Sequence, residues 1–530
     1  MKTLFRIPLP LPAARPARLT LPAVALLACT LLTTPIAALA QGSICAEGGG
    51  SLSSDSWAAP AFEWMLRQAR PLATADGGPV RVVILGSVDD ERDLPTDEHL
   101  GQDEDATADR FKAMDSTVVR RLYINSTNAN DEDVAKTIRE AHIVWMRGGS
   151  QTRYCNMWKG TPVEAGIRAV FARGGVIGGT SAGCAVLGEV IYDAAGGSCE
   201  PSVALRDPFA QQISFTTGFL ELTPGVLFDS HFTERARIAR LAVFLARVRT
   251  ELGRDVLGIG MDTRTALCIG PDGTAEVFGT GAACFMHLTP RSRLTIQPAQ
   301  GNWPTPPLVT DIAVRQIVAG EKINIRQMTA SLMSPKDIEH SAEWKLDPTP
   351  YRKETDRTDA LFIRGDATQH AERAQFFISP ELPSASLFHG TFALATGAGQ
   401  IPGAVASTRV FSIKDRTQNA AGGVLLALAT TNARWGTFMD MGAALRLLDD
   451  GTVQSYFPHG KLGAAMSAPV FIKSDRFTPG PAAPTARQTC SFDGLTMHVL
   501  PALWSFDPAS AAAIAPSPTA SPPPAPTPGE

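Results

Sequence analysis

The chain is expected to fold as an α/β protein, a parallel β-sheet with helices on both faces, followed by a mostly β C-terminal region. Three observations point there. Between Ser43 and Asp193, short apolar β runs alternate with stretches of helical periodicity, the order that leads to parallel pairing through crossover helices. The run 80–85 (VRVVIL) is almost wholly apolar, as suits a strand buried on both faces of a parallel sheet. Beyond about Ser331 the character changes to short β runs and loops.

Each element can be justified in turn. Residues 43–52, SICAEGGGSL, read as a short strand ending in glycines, and 59–69 as a helix with Phe62, Met65 and Leu66 on one face. The strand 80–85 is followed by 89–109, which holds ten carboxylates and one arginine. That composition reads as a solvated acidic loop, since the spacing of a calcium-binding loop is missing. A helix is expected over 111–120, a strand over 121–124, a helix over 131–140 and a strand over 142–146, leading to the turn Arg147-Gly148-Gly149-Ser150-Gln151. The helix over 161–173 is well signed: Thr161 as N-cap, Pro162 at the first position, Glu164 completing a capping box and Gly174 as the stop.

Next comes the stretch on which function turns, 173–193, RGGVIGGTSAGCAVLGEVIYD. Apolar residues lead into Gly179-Thr180-Ser181-Ala182-Gly183, a G-x-S-x-G pattern in which a strand ends and a serine opens a helix. Glycine on both sides suits a turn so tight that a Cβ would clash. Free N–H groups at the helix start suit a developing oxyanion. In parallel sheets ligands bind beyond the carboxyl ends of the strands, where both this elbow and the Gly148-Gly149 turn fall.

After the elbow, 196–208 reads as a loop and 233–252 as a helix with Leu241, Phe244, Leu245 and Val248 on an apolar face. Arg235, Arg237 and Arg240 crowd its first turns, where the helix dipole disfavours cations, which hints at anion binding next to His231. Strands are expected over 256–260 and 265–269, the latter turning back through Gly270-Pro271-Asp272-Gly273, and again over 309–325. The later β runs fall at 360–363, 376–378, 423–429 and 468–472. His340, His370, His389, His459 and His498 show no ligand spacing and read as structural or surface groups.

Composition narrows the classes further. A net charge of −4 with no basic cluster argues against nucleic acid, and no C-x-x-C or Cys/His spacing suggests a metal or other cofactor. Lys2, Arg6, Arg15 and Arg18 precede an apolar stretch ending in Ala38-Leu39-Ala40, the form of a secretory signal cleaved after Ala40. Leu26-Leu27-Ala28-Cys29 offers a lipoprotein reading as the second choice, and no later segment could cross a bilayer. Export to the periplasm or medium implies that some of Cys45, Cys155, Cys184, Cys199, Cys268, Cys284 and Cys490 pair, with Cys184 the expected free thiol. The organisation is therefore a signal over 1–40, an α/β domain over 41–328, a mostly β region over 329–506 and a disordered Pro-rich tail over 507–530.

Four motifs in order, Gly148-Gly149-Ser150-Gln151, GGVIGGTSAG at 174–183, Asp229-Ser230-His231-Phe232 with Arg235, Arg237 and Arg240, and LGIGMD at 257–262, resemble the cyanophycinase family, serine peptidases related to peptidase E. The resemblance covers roughly 43–326. It implies a flavodoxin-like, class I glutamine amidotransferase-like fold with Ser181 as nucleophile and His231 as general base. The oxyanion hole would come from the backbone N–H groups of Gly149 and Ala182. A substrate cleft would be lined by Gln151, Asp229, Ser230, Arg235, Arg237 and Arg240. The family releases β-Asp-Arg dipeptides from cyanophycin, a poly-aspartate carrying arginines on its side chains, so a cyanophycin-like peptide is the implied partner, with a homodimer left open. Ser150 and Ser230 stand where the family usually has aspartate and glutamine, which bears on how the arginyl group is recognised. For the group that orients His231, Glu200 is the nearest carboxylate, with Asp207 and Glu189 as rivals. Two other readings stay open: an α/β-hydrolase esterase, for which G-x-S-x-G is equally a signature, and a non-enzymatic surface binding protein on the same fold.

Overall fold

Strict alternation along five parallel strands sorts the core into two layers. Strands Ser43–Glu47, Val80–Ser87, Thr117–Ile124, Ile143–Met146 and Val176–Thr180 pair in parallel. Successive side chains point to opposite faces. Cys45, Val82, Ile84, Ile143, Trp145 and Val176 pack with Phe62, Met65 and Phe111 from helices Ala59–Ala75 and Gln102–Lys112. Ile44, Ala46, Val83, Leu85, Val144, Met146 and Ile177 belong to the opposite layer. There they meet Ile138, Tyr154, Trp158, Ile167 and Val170 from helices Glu132–Arg139, Gln151–Trp158 and Pro162–Ala172. Beyond Ser43–Glu47 the sheet continues antiparallel through Thr265–Ile269, Thr274–Gly279 and Lys322–Asn324. The expected α/β architecture with helices on both faces is what the chain adopts.

These details come from a computed structural model, which describes residues 42–50, 56–89, 102–114, 117–299 and 304–332, short strands between 362 and 407, and most of 420–516. The signal segment, the centre of the acidic stretch (90–101), His340, His370, His389, His459 and the end of the tail (517–530) lie outside the described residues. Among the described residues no helix is long and apolar enough to cross a membrane.

A second sheet runs from the α/β core into the C-terminal region without a break. Val226–Ser230 and Leu257–Met261 pair in parallel, then Ala282–Leu288, Leu308–Val318, Cys490–Leu500 and Ala468–Ala482 add antiparallel. Helix Ile238–Leu252 shares one apolar cluster with this sheet and is buried at every position from Ile238 to Arg249, rather than on one face. The C-terminal region supplies Val424, Leu425, Leu428, Phe471 and Met497 to the same cluster. Helix Ala420–Thr430 also packs against the turn Thr233–Arg235, so the added region braces a segment next to His231. His498 is structural, as expected: its Nδ1 accepts from Asp311 N at 3.1 Å and its Nε2 lies 3.0 Å from Ala511 O.

Several local expectations are corrected. Helix Gln102–Lys112 begins inside the stretch read as an acidic loop and runs past its end, and strand Thr117–Ile124 takes over the last turn of the helix expected over 111–120. The β-branched Thr117, Val118 and Val119 favour the pleated surface. The loop read over 196–208 contains helix Pro201–Arg206, with proline at its first position. The run 423–429 is helical within Ala420–Thr430; a short, uniformly apolar run carries no periodicity to separate strand from buried helix. The helix expected over 233–252 is broken: Thr233–Arg235 is a 3₁₀ turn, Ala236 has φ 51°, and the α-helix starts at Ile238. Strand Ala512–Ile514, inside the expected tail, pairs with Ser505–Asp507 at its start. All seven described cysteines are buried free thiols, so the expected pairing is not formed; they sit on separate elements, with only Cys45 and Cys268 in register, their sulfurs 3.5 Å apart.

Candidate active site

Strand Val176–Thr180 delivers Ser181 in a conformation, φ 55° and ψ −109°, that non-glycine residues rarely adopt. The surrounding packing over-determines it. A Cβ on Gly179 would lie 2.5 Å from the backbone of Gly183, and one on Gly183 would lie 2.2 Å from Met146 O. Ser181 N also donates to Glu47 O at 2.9 Å. The helix behind the elbow, Ala182–Ala185, is only four residues long, and Ala182 N opens its first turn. On the neighbouring strand the Gly148-Gly149 turn abuts the nucleophile: a Cβ on Gly148 would be 3.4 Å from Ser181 Cβ. Gly149, with φ 133°, is exposed. The two glycine turns thus meet at one rim, as read from the strand order.

His231 closes the other side. Strand Val226–Ser230 ends directly before it, and its Nε2 lies 3.0 Å from Ser181 Oγ. It too has a positive φ, 48°, held by His231 N donating to Gly48 O at 2.8 Å and Phe232 N to Met261 O at 3.1 Å. Gly49 lies against the imidazole so closely that a Cβ there would be 2.2 Å from Cε1. Burial first, then the charges of Arg235 and Arg237, bring the His231 pKa down to about 3, so the ring is a neutral acceptor across the physiological range.

The carboxylate beside that ring is not one of those named from sequence. Glu234 Oε1 stands 4.0 Å from His231 Nδ1, at ion-pair distance, and accepts from Thr263 N at 2.8 Å. Glu200 sits at the N-cap of helix Pro201–Arg206, Asp207 accepts from Phe209 N, and Glu189 binds Arg254 and Gly225 N. Both rivals, Asp207 and Glu189, are occupied elsewhere, while Glu200 makes no side-chain cap bond. Glu234 was missed because it lies three residues after His231 within a segment read as continuous helix; the 3₁₀ turn and the break at Ala236 bring it back toward the ring.

The basic cluster is also reassigned. Arg240 grips Asp229 with two bonds, Nε to Oδ2 at 2.8 Å and Nη2 to Oδ1 at 2.5 Å, and gives Nη1 to Cys199 O at 2.7 Å. Its guanidinium lies over the rings of Tyr192 and Phe244. Arg240 is 1% and Asp229 3% exposed. Burial alone would raise the Asp229 pKa, but the charge and hydrogen bonds of Arg240 outweigh it and hold the carboxyl below its ordinary value. Arg237 is buried, donates to Ser230 O at 2.6 Å, and lies 3.7 Å from Asp229. Burial, then repulsion from Arg240, brings its pKa down to about 9. Asp229, Ser230, Arg237 and Arg240 are therefore scaffold beneath His231, not the substrate-facing surface expected. Arg235 is partly exposed on the turn beside it. Gln151 opens helix Gln151–Trp158 and donates to Tyr192 O at 3.3 Å, tying the Gly149 turn to the segment after the elbow. Among the described residues no group of His, Cys, Asp and Glu is arranged to hold a metal ion.

The comparisons with known proteins fall on the same stretch. A family model described as Peptidase family S51 matches residues 95–274. The cyanophycinase of Synechococcus elongatus is 33% identical over 162 residues, 30% of this chain and 46% of that protein. That of Trichormus variabilis is 34% identical over 222 residues, 41% of this chain and 69% of that protein. The chain thus spans about half the length of the first relative and about two thirds of the second. Among solved structures, a peptidase from an acI-B1 Actinobacterium is 16% identical with a TM-score of 0.38, covering 54% of this chain and 98% of that one. On the family model and the Trichormus variabilis match, the chain belongs to peptidase family S51, the family of the cyanophycinases.

Proposed function

We propose that the chain is an exported serine peptidase of cyanophycinase type, which hydrolyses cyanophycin or related β-aspartyl, arginine-bearing peptides through an acyl-enzyme. The observation that carries this reading is the 3.0 Å contact of Ser181 Oγ with His231 Nε2 on a strained elbow. Neutral His231 takes the Ser181 proton as Oγ attacks the carbonyl carbon, then returns it to the leaving nitrogen; water repeats the sequence to free the acyl group. The backbone N–H groups of Gly149 and Ala182 face the developing oxyanion. Glu234, 4.0 Å from Nδ1, favours electrostatically the tautomer of His231 in which Nδ1 carries the hydrogen and stabilises the imidazolium that forms. Partly exposed Arg235 is the cation placed to meet a substrate carboxylate. The apolar stretch ending at Ala40 supports export.

Purified chain is expected to release β-Asp-Arg dipeptides from cyanophycin faster than it cleaves a p-nitrophenyl ester. An ester turned over well while cyanophycin stays intact would instead favour an esterase. The orienting role of Glu234 has its own test. Glu234→Gln keeps the contact with Thr263 N but removes the charge, and kcat is expected to fall roughly 10²-fold with KM little changed. An unchanged kcat would assign the orienting role elsewhere.

A further inference from the structure

We infer that Glu47 is a positioning residue for the Ser181–His231 pair; the inference rests on the peptidase reading above. No motif singled this residue out, and Glu47 is 1% exposed at the end of strand Ser43–Glu47. Its geometry links both halves of the site. Its backbone carbonyl accepts from Ser181 N at 2.9 Å, and the carbonyl of the next residue, Gly48, accepts from His231 N at 2.8 Å. Its side chain reaches forward, Oε1 accepting from Gly49 N at 2.9 Å, and Gly49 is the residue pressed against the imidazole. Glu47 thus sets the curl of the Gly48-Gly49 loop, and the loop sets where His231 stands relative to Ser181.

The groups around Glu47 explain why its carboxyl is neutral. The Thr180 hydroxyl faces it from the elbow strand, Glu234 from the turn after His231, and the Cys184 thiol from the elbow helix. Asp262, itself a buried carboxyl pushed up to about 7, presents its backbone to Gly48. On the outer side Arg264 packs against Gly50, and Arg235 and Arg237 act on His231. Burial is the largest effect on Glu47, and with repulsion from Glu234 it outweighs the hydrogen bonds from Thr180 and Gly49, lifting the pKa from 4.5 to about 8. Ionising it would set a buried negative charge beside Glu234. Such a charge draws the Gly49 N–H in more tightly and admits water, and either change shifts Gly49 against the imidazole. The same charge would raise the basicity of His231, but the ring is already unprotonated near neutrality, so lost alignment decides the outcome.

The test reads Ser181 itself, through its labelling rate by a fluorophosphonate from about pH 5 to about pH 10, in the full chain and in Glu47→Gln. Wild type is expected to lose about tenfold of its rate above a midpoint near pH 8, whereas Glu47→Gln labels within about threefold of wild type at pH 7 and stays level above it. An alkaline fall of the same midpoint and size in both proteins overturns the inference, because Asp262 and Glu234 remain in the variant. Wild-type Ser181 that labels at no pH overturns the peptidase reading instead, so the two failures are distinct. Thermal melting gives a second reading. A folded-state pKa raised above 4.5 contributes stability that is present in full at low pH and lost as pH rises through about 8. The melting temperature of Glu47→Gln should therefore gain on that of wild type between about pH 5 and about pH 9. A variant that melts well below wild type at pH 7 would contradict a neutral carboxyl and overturn the inference.

Discussion

Ser181→Ala is expected to lower dipeptide release from cyanophycin by roughly 10⁴–10⁶-fold and to abolish fluorophosphonate labelling. No other side chain stands in the serine's place. Gly148, across the rim, has no side chain, and the elbow is packed so closely by Gly179, Gly183 and Met146 that alanine's methyl occupies the space of the serine Cβ without moving the backbone. The residual rate would come from the oxyanion donors and binding alone. The measurement is single-turnover release by the purified variant, with a melting curve showing that it is folded. Release within tenfold of wild type would overturn the acyl-enzyme mechanism.

The largest stability effect is expected at Asp229. Asp229→Ala leaves Arg240 charged and buried with its two bonds unmade, a situation that costs about 3–5 kcal/mol. The pair also lies under His231, through Arg237 and the Ser230 backbone, so labelling of Ser181 should fall along with the urea midpoint. The paired replacement Asp229→Leu with Arg240→Met removes both charges and should recover most of the stability, because a buried ion pair is worth little against well-packed apolar groups. A single variant as stable as wild type would mean that Arg240 finds another partner.

The elbow is legible from residue order because local grammar specifies it, whereas His231 is singled out only by the family resemblance. G-x-S-x-G needs only its own glycines to make the turn, and alternating β and helical runs place it at a sheet rim. The capping signals at Thr161 and Pro162 worked for the same reason, with Thr161 Oγ1 accepting from Glu164 N at 3.5 Å. Glu164 departs in one detail, reaching Gly160 N at 2.6 Å rather than the cap residue. The run 423–429 failed because its pattern is uniform, and apolar content without a period leaves the choice to tertiary packing. Asp229 and Arg240 read as substrate contacts through the family resemblance, and only their two mutual hydrogen bonds, under Tyr192 and Phe244, show that they face each other.

Two kinds of information therefore divide this protein. The sequence by itself determined the α/β class and the glycine elbow that presents Ser181, since each follows from residues a few positions apart; the role of His231 came only with the family resemblance. Tertiary structure alone decided which carboxylate stands beside His231 and which arginines are buried scaffold. It also decided that the Gly48-Gly49 loop carries the imidazole and that the C-terminal strands extend the second sheet. Those outcomes depend on distances between residues far apart in the chain and on burial, which turns an expected surface charge into a paired one.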